Sequence, residues 1–114
     1  VSTREVLVAR GYVKVARTDE LAPGACKRVQ RDGEPVLLVN VAGEYYAVSD
    51  TCPHEDASLY KGYMKGPYAH CPLHGSRFDV RTGQVETDPA EDDLTVYPVR
   101  VEGADVLLGE PAGR

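Results

Sequence analysis

Apolar residues in this chain fall in short runs between turn signals, not in the three-to-four spacing of an amphipathic helix. Pro23-Gly24, Asp32-Gly33, Ala42-Gly43, Gly66-Pro67, Thr82-Gly83 and Glu102-Gly103-Ala104 mark the breaks. Turns at this spacing predict a β-sandwich or barrel. Tyr12 to Ala16 alternates, which predicts Val13 and Val15 on one face and Lys14 on the other. Val36 to Val41 is almost all apolar and reads as a central strand covered on both sides, with Tyr45 to Ser49 as its hairpin partner. Tyr97, Val99 and Val101 share a predicted face, and Pro98 limits that strand to an edge or a bulge. Val106 to Leu108 returns after the turn at Glu102-Gly103. The helix candidate is about one turn near Thr18-Asp19-Glu20-Leu21, with Thr18 or Asp19 as its cap. Val1 to Glu5 and Glu110 to Arg114 read as loose termini. The prediction is one all-β, antiparallel β-sandwich/barrel domain over residues 1–114.

Composition supports this picture. Val supplies 16 of the 114 residues and Ile none, an apolar content that leans towards strands. A chain of this length buries roughly two-thirds of its unfolded surface and needs no disulfide scaffold. It has no room for two catalytic modules. The net charge is −5, and residues 81–114 hold eight acids against three bases. Nucleic acid and anionic membranes attract basic surfaces, so neither is expected as a partner. The three cysteines are too few, and odd in number, for a secreted disulfide framework. The longest core-like run, Val36-Leu37-Leu38-Val39, is too short for a signal peptide or a membrane span. A soluble, cytoplasmic protein is expected.

The strand rhythm breaks in the middle of the chain. Cys52-Pro53-His54 is followed, after sixteen residues, by Cys71-Pro72-Leu73-His74. Each segment offers one thiolate and one imidazole, stiffened by a proline, and each follows a strand-like run. Two loops at one end of the sandwich are therefore expected. Two Cys and two His suit zinc or iron–sulfur chemistry. Structural zinc sites usually pair like ligands, whereas these pairs are mixed and the Cys-x-His gap is short. A two-iron cluster explains the mixture better.

These residues resemble the Rieske [2Fe-2S] family, whose pattern is Cys-x-His, fifteen to seventeen residues, then Cys-x-x-His. The likeness extends through His54-Glu55-Asp56-Ala57-Ser58-Leu59, Gly62-Tyr63 and Gly75-Ser76-Arg77-Phe78-Asp79-Val80-Arg81-Thr82-Gly83, and it covers about residues 11 to 108. It looks like the Rieske ferredoxins of bacterial aromatic-ring dioxygenases. The resemblance implies a Rieske fold with a two-loop cluster-binding subdomain at one end, over about residues 51–81. It implies one [2Fe-2S] cluster, with Cys52 and Cys71 on the inner iron and His54 and His74 on the outer iron. It further implies an electron carrier, not an enzyme, expected as a monomer between an NAD(P)H-dependent ferredoxin reductase and a terminal oxygenase. Respiratory Rieske proteins carry a disulfide between the loops and a membrane anchor. Ala57 and Leu73 stand where those cysteines would be, and Phe78 replaces a cluster-facing Tyr. Ser76 matches their serine and remains as one donor to a cluster sulfur. Fewer such hydrogen bonds place the expected potential at the low end of the Rieske range, near about −150 mV.

Other chemistries find too few residues. A ring-hydroxylating iron site needs two further His and a carboxylate, and only His70 remains. No Gly-x-Gly-x-x-Gly fingerprint marks a reductase, and no Ser has a spare His base. His70 reads as an ordinary strand histidine, and Cys26, alternating with Arg28 and Gln30, as a lone small residue near the surface. Glu86, Asp88, Glu91, Asp92 and Asp93 form either a solvated loop or a docking surface for basic partners. The resemblance also makes Pro89-Ala90 a candidate third loop over the cluster. Lys61, Lys65, Arg77 and Arg81 lie close in sequence to the ligands. Two rival readings are the small Rieske subunit of an assimilatory nitrite reductase and a zinc-binding interaction module.

Overall fold

The computed structural model describes residues 11–52, 57–72, 76–86 and 93–111. Among the described residues ten strands follow one another: β1 (Val13–Arg17), β2 (Cys26–Arg31), β3 (Glu34–Val41), β4 (Glu44–Ser49), β5 (Tyr63–Lys65), β6 (Tyr68–His70), β7 (Arg77–Asp79), β8 (Val96–Tyr97), β9 (Val99–Glu102) and β10 (Asp105–Leu108). They form three sheets, ordered β1-β10-β9, β2-β3-β4-β8 and β5-β6-β7. Every pairing is antiparallel. The all-β prediction therefore holds.

β3 is the centre of the largest sheet, and its alternation feeds two cores. Leu37 and Val39 pack with Val48, Phe78 and Val80, whereas Val36 and Leu38 pack with Ala16, Leu21, Val106 and Leu108. Two-faced burial is why the sequence there is continuously apolar instead of alternating. The β3–β4 hairpin turns at Ala42 (φ 53°) and Gly43 (φ 98°), positive at both central residues as a type I′ turn requires.

Two expectations change at the ends of strands. Val13 pairs with Leu108 and Lys14 with Leu107, but Ala16 pairs with Val106, so Val15 is an extra residue in a β-bulge. The bulge turns Ala16 into the core and leaves Val13 exposed, so Val13 and Val15 do not share a buried face. Pro98 separates β8, an edge of the four-stranded sheet, from β9, an edge of the β1-β10-β9 sheet. Tyr97 and Val99 pack on one core while Val101, further along this edge, is exposed. The predicted helical turn is a 3₁₀ turn, Thr18–Glu20. Its cap position is Arg17, not Thr18 or Asp19, and the Arg17 N–H donates to the Glu20 carboxylate at 2.6 Å. A second 3₁₀ turn, Leu59–Lys61, was not expected.

Arg31 is a buried cation that the sequence pattern did not mark. Its guanidinium donates to the carbonyls of Gly11 and Leu108 and pairs with Asp32 and Glu110, tying β2 to the end of β10. Satisfying every face of the group in this way is what makes its burial tolerable.

Candidate metal centre

Cys52 and Cys71 each stand just past a strand, and each opens a loop that closes in the same way. After β4, Thr51 bridges to Ser58, and the Cys52 N–H donates to the Ala57 carbonyl at 2.8 Å. After β6, the Cys71 N–H donates to the Ser76 carbonyl at 2.9 Å. In both cases the acceptor lies five residues beyond the cysteine. The two cysteines are 1% and 3% exposed and belong to one core, walled by Leu37, Val39, Leu59, Ala69 and Phe78. None of the three cysteines is in a disulfide. Cys26 is half-buried against the same core, not at the outer surface, and its burial pushes the thiol pKa up, with Asp50 adding to the effect.

His54, Leu73 and His74 lie outside the described residues, as do Asp88, Pro89, Ala90, Glu91, Asp92 and the predicted loose end at Val1 to Glu5. The flanks of the acidic segment are described. The Asp93 carboxylate accepts the Val85 N–H at 2.9 Å, Glu86 N–H donates to Arg77 O at 2.7 Å, and Leu94 N–H donates to Gly83 O at 2.7 Å. Asp93 therefore holds backbone, so reversing its charge would perturb the fold as well as any docking surface.

The first loop has an anchor that sequence reading missed. Asp50 is fully buried. Its carboxylate accepts the Tyr60 N–H at 2.8 Å and the Ser58 hydroxyl at 2.5 Å, and pairs with Arg28 Nε at 3.1 Å. The available signal was an acid directly after the apolar end of a strand, Ala47-Val48-Ser49. The second loop rises instead from the small sheet, where Met64, Ala69 and Phe78 form the inner row and Tyr63, His70 and Arg77 the outer one. His70 lies in β6 with its ring stacked on Tyr63, centroids 4.4 Å apart. Burial holds its pKa below the ordinary value, assisted by Arg77 and Lys65.

This donor arrangement fits a group that takes two thiolates and two imidazoles. Both thiols sit on one dry core, and each begins a loop whose sequence contains one His. Residues 11–98 match the Rieske [2Fe-2S] domain. The chain belongs to the Rieske [2Fe-2S] family. One [2Fe-2S] cluster is the cofactor this membership brings, which sets the zinc alternative aside. The biphenyl dioxygenase ferredoxin subunit of Pseudomonas sp. (strain KKS102) is 42% identical over 98 residues, spanning 85% of this chain and 90% of the relative. The ferredoxin of carbazole 1,9a-dioxygenase from Nocardioides aromaticivorans IC177 superposes with a TM-score of 0.83 at 36% identity, covering 87% of this chain and 97% of that one. A chain in the complex of reduced oxygenase and oxidized ferredoxin of carbazole 1,9a-dioxygenase gives a TM-score of 0.86 at 34% identity, covering 92% and 99% of the two chains. These Rieske relatives are electron-transfer components and not the catalytic subunits. Among the described residues, no helix is long and apolar enough to cross a membrane.

Proposed function

We propose that Cys52, His54, Cys71 and His74 hold the cluster, with Cys52 and Cys71 on the inner iron and His54 and His74 on the outer iron. The cluster-binding segment is about residues 51–81 of a single domain. In this reading the chain is a cytoplasmic monomer that carries one electron at a time from an NAD(P)H-dependent ferredoxin reductase to a terminal aromatic-ring oxygenase. The observation that carries it is the pair of equivalent loops, each opened by a cysteine buried in the same core.

When bound, the cluster takes up and releases one electron. The protein's task is to hold it dry on one side and accessible on the other. Leu37, Val39 and Phe78 exclude water around the thiols. Two neutral imidazoles in place of two thiolates remove two negative charges from the ligand set, which eases uptake of an electron and raises the potential above that of a four-Cys site.

The test is reconstitution. The purified chain is expected to be coloured, to show an EPR signal when reduced, and to restore NAD(P)H-driven turnover to an aromatic-ring oxygenase supplied with a reductase. A colourless, EPR-silent zinc protein would refute the assignment, and so would transfer only to a nitrite reductase. Phe78 tests the tuning. Its ring is fully buried on the core of the two cysteines, and Phe78→Tyr adds a hydroxyl donor there. A bond worth about 1.5 kcal/mol more to the reduced state raises the potential by about 60 mV. A redox titration in which the variant titrates at or below the wild type would contradict this.

A further inference from the structure

We propose that Asp50 is the positioning residue of the first ligand loop: one buried carboxylate clasps the two described ends of residues 51–58, the segment whose sequence carries Cys52 and His54. The inference rests on the reading that these two residues are ligands.

The two loops are held by different means. The second emerges from paired strands, with Tyr68, Ala69 and His70 of β6 laddered to Asp79, Phe78 and Arg77 of β7. The first returns into a 3₁₀ turn, and among the described residues its only strand-like pairing is the bridge of Thr51 to Ser58. Asp50 supplies the missing ladder. Its N–H donates to Pro35 O at 3.1 Å on β3, and its carbonyl accepts the Leu59 N–H at 2.7 Å. Its carboxylate then holds Ser58 and Tyr60 on the returning side and Arg28 of β2. Departing chain, returning chain and central sheet thus meet at one residue, two positions before Cys52.

The chemistry explains why a carboxylate is needed. One oxygen takes a backbone N–H while the other takes a hydroxyl and faces a guanidinium, so both oxygens are used and both ends of the loop are bound. Leu or Val would fill the same space but leave the Tyr60 N–H and the Ser58 hydroxyl without this acceptor. Asn keeps the shape and one acceptor, yet turns an amide NH₂ towards Arg28. Hydrogen-bonding groups behind metal ligands commonly change site affinity by about 10–100-fold.

The experiment compares Asp50→Asn, Ser58→Ala and Arg31→Met with the wild-type holoprotein. The Arg31 guanidinium binds Gly11, Leu108 and Glu110 and none of the groups that Asp50 holds, so Arg31→Met reports general loss of stability. Three quantities are read: thermal midpoint, g-values of the reduced protein, and the rate at which a chelator bleaches the chromophore. Asp50→Asn is expected to shift the g-values and bleach roughly 10-fold faster, and Ser58→Ala to change both in the same direction by less. Arg31→Met should lower the midpoint and leave the g-values alone. An Asp50→Asn protein that matches wild type in g-values and bleaching overturns the inference, and so do changes that Arg31→Met reproduces. Should Asp50→Asn fail to fold, an unaltered Ser58→Ala overturns it equally. A wild-type protein lacking the reduced-state signal would instead overturn the ligand assignment.

Discussion

Cys71→Ser is expected to give a colourless protein with no reduced-state EPR signal and with electron transfer at background. Cys71 is 3% exposed at the start of the second loop, on the core it shares with Cys52. A hydroxyl there is a far poorer soft donor than a thiolate, and on the proposed ligand set its introduction removes one of four ligands and opens the site to water. Stability falls too, because a group bound only by the folded state adds its binding free energy to that state. A loss of about 3 kcal/mol lowers the thermal midpoint by about 12 °C. Cys26→Ser is the matched control: this thiol packs at the edge of the same core, and its replacement should leave colour and transfer intact. Iron content per chain, absorbance and calorimetry check both variants. A coloured, active Cys71→Ser protein would remove Cys71 from the ligand set.

Gly62→Ala is the second large effect, and it acts through backbone. A methyl at this position would lie 1.9 Å from the His70 carbonyl oxygen and 3.2 Å from Pro72 Cδ. His70 and Pro72 flank Cys71, so the added carbon presses on the chain on both sides of that cysteine. Neither neighbour is the free end of a flexible side chain, hence β5 must part from β6 or the second loop must shift. A destabilisation of about 2–4 kcal/mol is expected, together with lower cluster occupancy per chain. Gly66→Ala gives the comparison, since nothing lies within 4 Å of its added carbon and its φ of +60° is the sole cost, about 1–2 kcal/mol. Equal thermal midpoints for the two variants would refute the close-approach account.

Much of this was legible in sequence because it depends on local pattern. Apolar continuity marked β3 as a strand buried on both faces, and turn residues set the hairpins. Mixed Cys and His spacing pointed to a two-iron site before any fold was known. Features that depend on distant partners were not legible. The bulge at Val15 is a matter of register against β10, which no feature of Tyr12 to Ala16 encodes. Arg31 reads as a solvent-facing cation until Gly11, Leu108 and Glu110 close around it. Asp50 looks like an ordinary loop residue and Gly62 stands out only through the family likeness; what each does is visible only where Ser58, Tyr60 and His70 meet them. Cys26 shows the same limit in milder form: alternation with Arg28 placed it outward, while packing against the cysteine core half-buries it.

The two-faced burial of β3 has a thermodynamic meaning. Leu37 and Val39 line the core of the cysteines, while Val36 and Leu38 line the opposite core from the same stretch of backbone. Neither core can open without breaking the ladders to β2 and β4 that the other also needs. The two halves therefore behave as one cooperative unit, not as a rigid base carrying a separately melting tip. Free energy gained when the metal centre is filled is delivered to the whole domain, and the amides of Val36 and Leu38 register it although their side chains point the other way.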